Sequence, residues 1–446
     1  MSNRTHPNND VRRIALDILC RVESGAFANR LLDANRHRTR PIDRPLLQEL
    51  VLGTITWRFT LDHILSPYLR KPLEKSPPVL RNLLRLGVYQ IRFLDRIPGY
   101  AAVSQTVGLA KDRLGDPMGR LVNAVLRGVQ EARKTADVPD PQSDPVGYLA
   151  TTTSHPNWLI RRWISRLGFD NAEKLCHANN RRVRLTIRVN SLRCTLSELT
   201  NSLSSEGIDT EPVEYLGGYL TVTETGSLFQ TQSYQKGWFS VQNPGAGLVV
   251  QLLGVKPEER ILDICSAPGG KATAISEALG LRGEVVAFDL RNTRLRMLKE
   301  NLVRLGLTEI RVAAADGCHL PIRTTFDRVL VDAPCSALGI LAMRPDVRWH
   351  REETDILKLA ESQKILLENA ANAVQKNGIL VYSTCSLEPE ENEHIIEGFL
   401  TQRSDFELEP ASEFLHASVA GNYLQTTPHQ HGCDGAFGTR LRRTNF

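Results

Sequence analysis

The sequence predicts a multi-domain protein with an all-helical bundle, a small α+β module and an α/β domain that has a doubly wound, mostly parallel sheet. Three observations support this fold class. The chain has 446 residues, more than one hydrophobic core usually holds, so two or three domains are expected. Its front part consists of long amphipathic segments that are poor in strand signals. From Glu259 onward, apolar strand-like runs alternate with helical patterns.

The first predicted domain, residues 1–134, is the helical bundle. Apolar residues recur at helical spacing from Val11 to Val22, and Asp10 is placed to cap this helix. Three further amphipathic stretches follow: "DRPLLQELVLGTITWRF", "PPVLRNLLRLGVYQIRFL" and "GRLVNAVLRGVQEARK". The next stretch, "TADVPDPQSDPVG", carries three prolines and three aspartates, a composition that resists both helix and core. Residues 135–150 are therefore predicted to be a linker.

Residues 151–243 are predicted to form the small α+β module, and residues 244–446 the α/β domain. The module has a Trp-containing helix around "HPNWLIRRWISRLG", a helix at "TLSELTNSLSSEG", and strands at "RLTIRVN", "GYLTVTE" and "GWFSVQ". The strands of the α/β domain are "RILDIC", "EVVAFDL", "IRVAAAD", "RVLVDAP" and "GILVYST". Their alternation with helices is typical of a parallel sheet covered on both faces.

The charge of the chain is unevenly distributed. The net charge of +5 divides into +11 for residues 1–134, −3 for 135–150, +7 for 151–194 and −10 for 195–446. A second basic cluster lies in the α+β module and includes Arg181, Arg182, Arg184 and Arg188. Positive charge outside the chemical domain favours a nucleic-acid partner, because cationic side chains displace the counterions of a phosphate backbone. The alternative is an Arg-rich helical face that only keeps the protein soluble.

Several classes of protein are disfavoured. No apolar run reaches the roughly 18 residues typical of a membrane span, and the first residues, "MSNRTHPNND", lack the apolar centre of a secretion signal. The eight cysteines are scattered without a C-x-x-C pair, which argues against a disulfide framework and a structural zinc site. We therefore expect a cytoplasmic protein with reduced thiols, no membrane contact and no metal.

The first strand of the α/β domain ends in a glycine-rich turn, "DICSAPGGKATAI", residues 263–275. It is not a P-loop, because Cys265 stands where the first glycine is required, and it lacks the G-x-G-x-x-G dinucleotide fingerprint. The turn Pro268-Gly269-Gly270 lets a ligand approach the backbone closely. Taken alone, these glycines are equally explained as residues that merely turn the chain.

The next three strands end in aspartate: Asp289, then Asp316, then Asp332. In an open parallel sheet the ligand lies beyond the carboxyl ends of the strands, where Asp289 is placed to accept hydrogen bonds from ribose hydroxyls. A cofactor with a ribose and an adenine but no phosphates would use carboxylates without a phosphate cradle. S-adenosylmethionine fits that description, and its sulfonium cation suits an acidic domain.

Two strands end in cysteine. "RVLVDAPCSALG" places Cys335 after Pro334, and "ILVYSTCSLEPEENE" places Cys385 after Thr384. If the fold brings both sulfurs to one cleft, they are suited to act as nucleophile and proton acceptor. Taken singly, each is better explained as a small buried residue at a strand end.

Four motifs in this order, "DICSAPGGK", "VDAPCSALG", "RPDVRW" and "YSTCSLEPEEN", resemble those of the RNA cytosine-5 methyltransferases. The front of the chain is similar to the bacterial 16S ribosomal RNA methyltransferase B branch of that family (Sun or Fmu type), in which a NusB-like helical domain precedes the catalytic part; "DRPLLQELVLGTITWR" and "LVNAVLR" carry this likeness. "LQTTPHQHGCDGAFGTRLRR" looks like the closing hairpin of the family. The resemblance covers nearly the whole chain.

The resemblance implies a Rossmann-like class I methyltransferase domain that binds S-adenosylmethionine and methylates carbon 5 of a cytosine in 16S ribosomal RNA. By resemblance, Cys385 is the nucleophile that adds to carbon 6, Cys335 assists removal of the carbon 5 proton and product release, and Asp332 hydrogen-bonds the base. In the related DNA enzymes the Pro-Cys sulfur attacks instead, and the residues alone do not choose. The candidate cofactor-binding residues are Cys265, Ser266, Ala267, Pro268, Gly269, Gly270, Lys271, Asp289, Asp316 and Asp332.

Further expectations follow for the RNA and for the surroundings of Cys385. Arg344 and Arg348 are expected to contact RNA phosphates or the flipped nucleotide, and Trp349 to pack. The acids of "EPEEN" disfavour a thiolate at Cys385, but they also suit the first turn of a helix that Pro389 opens and whose N-terminus favours the thiolate. The expected partner is 16S ribosomal RNA in an unassembled or partly assembled small subunit, and the protein is expected to be a monomer.

Two stretches depart from the family pattern, and two other functions remain open. "VQNPGAG" stands where the family commonly has Asp-x-Ala-Ser after Val-Gln, and "DGAFG" stands where it has a paired Phe-Phe. The first departure bears on the back of the cofactor pocket and the second on a packing position. The alternatives are a transfer RNA cytosine-5 methyltransferase, and an RNA-binding or antitermination factor with an inert methyltransferase half; the second is disfavoured because both cysteines and Asp332 are present.

Overall fold

The computed structural model describes residues 10–223, 228–307 and 309–444. The absence of a secretion signal was predicted from residues 1–10, of which only Asp10 lies within the described residues. The chain divides into two compact units: Met1–Arg181 with Leu341–Arg351, and Arg182–Ile340 with Glu352–Phe446. None of the helices in the described residues is long and apolar enough to cross a membrane.

The helices are, in chain order, α1 (Val11–Glu23), α2 (Ala28–Ala34), α3 (Arg44–Thr56), α4 (Arg58–Leu65), α5 (Pro78–Phe93), α6 (Gly99–Leu114), α7 (Asp116–Gln130), α8 (Pro145–Thr153), α9 (Asn157–Leu167), α10 (Phe169–Asn179), α11 (Leu196–Ser205), α12 (Gln232–Gln235), α13 (Pro244–Leu253), α14 (Gly270–Ala278), α15 (Asn292–Leu305), α16 (Val347–His350), α17 (Glu353–Asn372), α18 (Glu393–Gln402) and α19 (Pro428–His431). The strands are β1 (Thr186–Val189), β2 (Thr210–Pro212), β3 (Tyr219–Val222), β4 (Phe239–Val241), β5 (Arg260–Ile264), β6 (Glu284–Asp289), β7 (Ile310–Ala314), β8 (Phe326–Asp332), β9 (Val374–Thr384), β10 (Phe406–Glu409), β11 (Leu424–Thr426) and β12 (Ala436–Arg443).

The first unit is all helical. Asp10 caps α1 as predicted, since its carboxylate accepts a hydrogen bond from the Arg12 backbone N–H at 3.1 Å. Helix α5 is buried along most of its length and packs against α1, α4, α6 and α7. Its Arg85 is buried and donates to Asp62 at 2.6 and 2.7 Å and to Glu23 at 3.1 Å, so the buried cation is neutralised.

The first unit differs from the sequence-based picture at α8 and α9. Helix α8 begins at Pro145, inside the predicted linker, and Asp144 caps it through the Gly147 N–H at 2.8 Å. Helix α9 was predicted as part of the α+β module, but in the structure it packs with α8 and α10 in the helical unit. The bounds 1–134, 135–150, 151–243 and 244–446 stay predictions.

The segment Leu341–Arg351 belongs to the first unit and corrects one expectation. Arg348 was expected to contact RNA, but it is fully buried and donates to the Ser154 carbonyl, to Asn180 and to the Asn179 carbonyl at 3.1, 2.8 and 3.2 Å. Burial lowers the pKa of Arg348 to about 9. Its guanidinium therefore holds the fold together and is not available to a phosphate.

Two neighbours of Arg348 are more exposed. Trp349 packs against the core of the first unit, as predicted, and its indole N–H donates to the Ile55 carbonyl at 2.8 Å. Arg344 is half-buried with its guanidinium 5.9 Å from the Phe27 ring centre. The contact of Arg344 with RNA stays a prediction.

The second unit contains two sheets. The smaller is antiparallel with strand order β2-β3-β1-β4, and α11 begins at a capping box formed by Thr195 and Glu198. The larger has the order β10-β12-β9-β8-β5-β6-β7, with β11 pairing on β12. Strands β5 to β9 pair in parallel, whereas β10, β11 and β12 add antiparallel pairs.

Separate hydrophobic clusters include residues of the larger sheet. One contains side chains of α13, α14 and α15, and another contains side chains of α17 and α18. Side chains of one strand alternate between the clusters, for example Ile261 in the first and Leu262 in the second. The sheet is therefore covered by helices on both faces, and the prediction of a doubly wound, mostly parallel sheet is confirmed.

Candidate active site

The turn between β5 and α14 lies at the carboxyl edge of the larger sheet. Gly269 has a φ of +104°, and a Cβ at this position would overlap the side chain of Leu298. Only glycine fits such a turn without strain. The Ala267 N–H donates to Asp289 at 3.2 Å, and the Ser266 N–H donates to the Phe288 carbonyl at 2.8 Å. The end of β6 thus holds the turn in place.

The three strand-end aspartates have different surroundings. Asp289 is buried, accepts from the Arg291 N–H at 3.0 Å and pairs with Arg294 at 3.3 Å, in addition to its bond with the turn. Asp316 is exposed and caps its own turn, accepting from the Cys318 N–H at 2.9 Å. Hydrogen bonds from His319 and from that N–H hold the pKa of Asp316 below its usual value.

Asp332 forms an ion pair with Lys271, the last residue of the predicted cofactor turn. The Lys271 Nζ lies 2.7 Å from an Asp332 oxygen, and the Ser383 hydroxyl donates to the other oxygen at 3.0 Å. Burial acts to lower the pKa of Lys271, but Asp332, the nearby Asp263 and the Cys385 sulfur outweigh it and raise this pKa. Lys271 is therefore an ammonium whose charge acts on both Asp332 and Cys385.

Asp263, in the middle of β5, is fully buried and neither of its carboxyl oxygens has a hydrogen-bond partner among the described residues. Burial, followed by the charge of Asp332, raises its pKa well above the usual range. Unsatisfied buried oxygens are costly, so a carboxyl of this kind is typical of a functional site.

Cys335 and Cys385 follow β8 and β9, two neighbouring parallel strands in which Asp332 pairs with Ser383. Their sulfurs lie 3.1 Å apart, and the Cys385 N–H points to the Cys335 sulfur at 3.4 Å. Both residues are partly exposed. The structure thus brings together the two thiols that are 50 residues apart in the chain.

The two thiols are not equivalent. The hydrogen bond with Cys385, followed by burial, raises the pKa of Cys335 well above the usual value of a thiol. Either sulfur can be the donor in the contact between them. Such a pair can supply one thiolate nucleophile and one thiol at the same ligand.

Parts of this chain match models of known protein families. The family model "16S rRNA methyltransferase RsmB/F" matches residues 250–442, the NusB family matches 9–131, and the RsmF/B-like ferredoxin-like domain matches 155–228. "Probable ribosomal RNA small subunit methyltransferase B" of Bacillus subtilis is 36% identical over 97% of this chain and 98% of its own. The chain belongs to the 16S rRNA methyltransferase RsmB/F family.

Another member of this family and two solved structures are similar to this chain over most of its length. "Ribosomal RNA small subunit methyltransferase B" of Vibrio cholerae is 34% identical over 95% of this chain and 98% of its own. The protein PH0851 has a TM-score of 0.82 at 25% identity, covering 99% of this chain and all of that one. A methyltransferase homologue from Pyrococcus horikoshii has a TM-score of 0.59 at 27% identity, covering 68% of this chain and all of that one. The predicted NusB-like, α+β and Rossmann-like parts are confirmed, and the chain is an RNA methyltransferase by family.

The two departures from the family pattern meet in the fold. Gly245 of "VQNPGAG" lies against Ala436 of "DGAFG", so close that a Cβ on Gly245 would stand 2.8 Å from the Ala436 Cβ. Asn243 caps α13 by accepting from the Gly245 N–H at 2.9 Å. Phe437, the phenylalanine that this chain keeps, is buried with its ring 5.2 Å from that of Tyr423.

Arg188, counted in the second basic cluster, does not face solvent. It is buried and forms a two-point ion pair with Glu277 of α14 at 2.9 and 2.8 Å. It also donates to the Gly270 carbonyl at 2.9 Å and to Thr273 at 3.1 Å. Arg188 thus fixes the start of the helix that follows the glycine turn. Arg181, Arg182 and Arg184 are exposed.

Sequence reasoning missed a carboxylate that contacts both cysteine loops. Glu391 was interpreted as an acid in the first turn of a helix, but Pro389–Glu391 forms a 3-10 turn and α18 begins only at Glu393. The Glu391 side chain is fully buried and accepts hydrogen bonds from Ser336 and Ser386. The only signal in the sequence is that a serine follows each cysteine.

Proposed function

We propose that this protein transfers a methyl group from S-adenosylmethionine to carbon 5 of a specific cytosine in 16S ribosomal RNA, through a covalent bond between Cys385 and carbon 6. The observation that carries the proposal is the pair of sulfurs 3.1 Å apart at the carboxyl edge of the sheet. The Lys271–Asp332 ion pair lies beside Cys385.

The residues at the sheet edge fit S-adenosylmethionine. The glycine turn lets a ligand approach the backbone, because a Cβ at Gly269 would not fit, and Asp289 and Asp316 offer carboxylates without a phosphate cradle. The unsatisfied oxygens of Asp263 suit a hydrogen-bond donor. We assign the cofactor to residues 265–271 with Asp289, Asp316 and Asp332. When bound, S-adenosylmethionine supplies an electrophilic methyl group on a sulfonium.

Cys385 supplies the electron pair that the cytosine ring lacks. Carbon 5 is too weak a nucleophile alone, so the Cys385 thiolate adds to carbon 6 and the ring electrons move toward carbon 5. Asp332 holds the base edge and favours its protonated state as the adduct forms, which stabilises the charge that develops. The ammonium of Lys271 is paired with Asp332 at 2.7 Å and so helps to hold this carboxylate in place.

Cys335 completes the cycle after methyl transfer. The carbon 5 proton must leave so that its bonding electrons restore the ring double bond and expel Cys385 from carbon 6. Cys335 lies within contact of the Cys385 sulfur and therefore near both reacting carbons. We assign to Cys335 the assistance of proton removal and of product release.

The substrate class rests on charge and on the relatives. Residues 1–134 carry a net +11, which suits a polyanion, and two relatives are named as ribosomal RNA small subunit methyltransferases. The target cytosine must be single-stranded or turned out of its stack, because carbon 5 and carbon 6 are covered in a helix. A transfer RNA substrate is the second candidate, and the NusB match over residues 9–131 speaks against it.

Substitution of Cys385 tests the nucleophile. Cys385→Ala removes the thiolate and leaves the glycine turn unchanged, so we expect methyl transfer to fall by at least about 1,000-fold while S-adenosylmethionine still binds. Transfer of a labelled methyl group to small-subunit RNA and calorimetric cofactor binding measure the two quantities. A fully active Cys385→Ala enzyme would refute the assignment. Bisulfite sequencing of ribosomal RNA from cells that lack the protein identifies the target base.

A further inference from the structure

We propose that Glu391 is a positioning residue that sets the distance between the two reactive thiols. The inference rests on the proposed function, because it concerns how that site is assembled. Glu391 follows Cys385 by six residues and comes from the 3-10 turn that precedes α18. It does not touch either sulfur in the described contacts; it acts on the residue that follows each sulfur.

One carboxylate accepts hydrogen bonds from both cysteine loops. The Ser336 backbone N–H and hydroxyl donate to Glu391 at 2.8 and 2.5 Å, and the Ser386 hydroxyl donates to the same oxygen that accepts from the Ser336 hydroxyl. The two hydroxyl oxygens are 3.0 Å apart. Because Ser336 follows Cys335 and Ser386 follows Cys385, the carboxylate ties together the backbone at both thiols.

The same carboxylate is anchored from a third direction. Gln363 of α17 donates to Glu391 at 3.0 Å and to the carbonyl of Pro334, the residue before Cys335, also at 3.0 Å. The Tyr382 hydroxyl donates to the Glu391 carbonyl at 2.7 Å. Glu391 is fully buried, and no Lys or Arg of the described chain forms an ion pair with it. Its charge is therefore held only by neutral donors that belong to the cysteine loops and α17.

The next residue, Asn392, holds the Cys385 loop from the other side. The Thr384 hydroxyl donates to the Asn392 side-chain oxygen at 2.6 Å, and the Asn392 amide donates to the Ser386 carbonyl at 3.1 Å. Backbone contact completes the arrangement, since the Gly339 N–H donates to the Cys385 carbonyl at 2.9 Å. Neighbouring parallel strands place the two cysteine loops side by side. A partner that both loops share, as Glu391 is, fixes their side chains to within tenths of an ångström.

Glu391 also acts on Cys335 through its charge. A buried negative group near a thiol favours the protonated form, and the Glu391 charge is one of the causes that raise the pKa of Cys335. Contact with Cys385 and burial contribute more to this rise.

The test compares Glu391→Gln with the control Glu397→Gln. Gln keeps the size of the side chain but replaces one carboxylate oxygen by an amide NH2 group, which cannot accept a hydrogen bond. The variant therefore cannot accept from all four donors, which are the Ser336 N–H, the two serine hydroxyls and the Gln363 amide. We expect kcat to fall by about 100-fold, because misplacing a reacting group by about 1 Å has an effect of this size, with KM for RNA and the Kd of S-adenosylmethionine unchanged. Glu397 is exposed on α18, and Glu397→Gln should keep full activity.

Single-turnover formation of the protein–RNA adduct gives a readout that a merely structural role would not move. With Glu391→Gln the adduct should form about 100-fold more slowly. The stoichiometry of cofactor binding should equal that of the native enzyme. Glu391→Asp, which keeps the charge but shortens the side chain, should give an intermediate rate. A double-mutant cycle of Glu391→Gln with Ser386→Ala should show less than additive losses, because both changes break the same contact.

Two results would overturn the inference. The first is a kcat of Glu391→Gln equal to that of Glu397→Gln. The second is a loss of cofactor-binding stoichiometry in proportion to the loss of activity, because this would mean that Glu391 only keeps the domain folded. Failure of the proposed function is distinguishable, since in that case Cys385→Ala would itself stay active.

Discussion

The carboxyl of Asp434 is buried at the turn before β12, with 9% of the residue exposed. Burial raises its pKa to about 7 from the value of 3.8 that an exposed aspartate has. Between about pH 4 and pH 7 the folded chain therefore holds a proton that the unfolded chain has released. Stability must fall as the pH rises through this window, because the folded state binds more protons than the unfolded state.

We predict that Asp434→Asn removes this part of the pH dependence. The free energy of unfolding of the native protein, relative to that of the variant, should decrease by up to roughly 4 kcal/mol between pH 4 and pH 8, at about 1.4 kcal/mol per pKa unit. Urea unfolding of both proteins at several pH values measures the difference. The control Asp209→Asn changes an exposed carboxylate and should keep the native pH profile. Parallel profiles for Asp434→Asn and the native protein would contradict the prediction.

The burial of two arginines could not be predicted from the sequence. Arg188 was counted in a basic cluster, yet it is neutralised by Glu277. Arg348 was expected to contact RNA, yet it donates to main-chain carbonyls and a side-chain amide in the core. Neither partner is near in sequence. Composition gives the charge of a domain, but only tertiary contacts decide which guanidiniums remain at the surface.

The glycine turn between β5 and α14 is the element to which we assign cofactor binding. Gly269→Ala places a Cβ in a left-handed backbone conformation and against Leu298, which is fully buried and has no room to move. The turn must therefore shift. We predict that the affinity for S-adenosylmethionine falls by at least about 10-fold, equivalent to about 1.4 kcal/mol, as measured by calorimetry.

Gly280→Ala is the matched control for this prediction. Gly280 ends the same helix region with a φ of +61°, but no atom lies within 4 Å of its Cβ position. The substitution therefore places a side chain at a positive φ without the overlap. Cofactor affinity should be that of the native protein. Equal affinities for Gly269→Ala and Gly280→Ala would show that close packing of the turn is not what shapes the pocket.

The turn before α18 explains why the direction of Glu391 could not be predicted from the sequence. Acids after a proline are typical of an exposed first helical turn. Here Asn392 has a non-helical backbone conformation, which separates the 3-10 turn from α18. That break turns Glu391 inward toward Ser336 and Ser386. Local pattern predicted a helix in the right region, and the helix exists, but the direction of one side chain depends on strands β8 and β9.

At the scale of the whole chain, periodicity predicted the fold class and the longest elements. Alternating apolar runs predicted β5 to β9, and the helical spacing predicted α1, α5 and α7, because burial of one face depends mainly on local pattern. Strand β2 and helix α8 were missed, since both are short and lie among turn residues. The antiparallel strands β10 and β11 were equally hidden, because their pairing with β12 is long-range.

The candidate site was predictable to the level of its motifs. Strand order places the ends of β5, β6, β8 and β9 along one edge of the sheet, which explains why motifs far apart in sequence share one cleft. Contacts such as the 2.7 Å pair of Lys271 with Asp332 required the structure. The role of each thiol comes from the resemblance and stays a proposal, and the contact between the two sulfurs supports it.

The most direct test of the two-thiol account uses Cys335→Ala. This variant keeps the attacking thiolate of Cys385 but lacks the thiol assigned to product release, so we predict a stable protein–RNA species that survives a denaturing gel. Mass spectrometry of the digested species should place the nucleotide on Cys385. A nucleotide attached to any other residue, or full turnover of Cys335→Ala without a trapped species, would contradict the account.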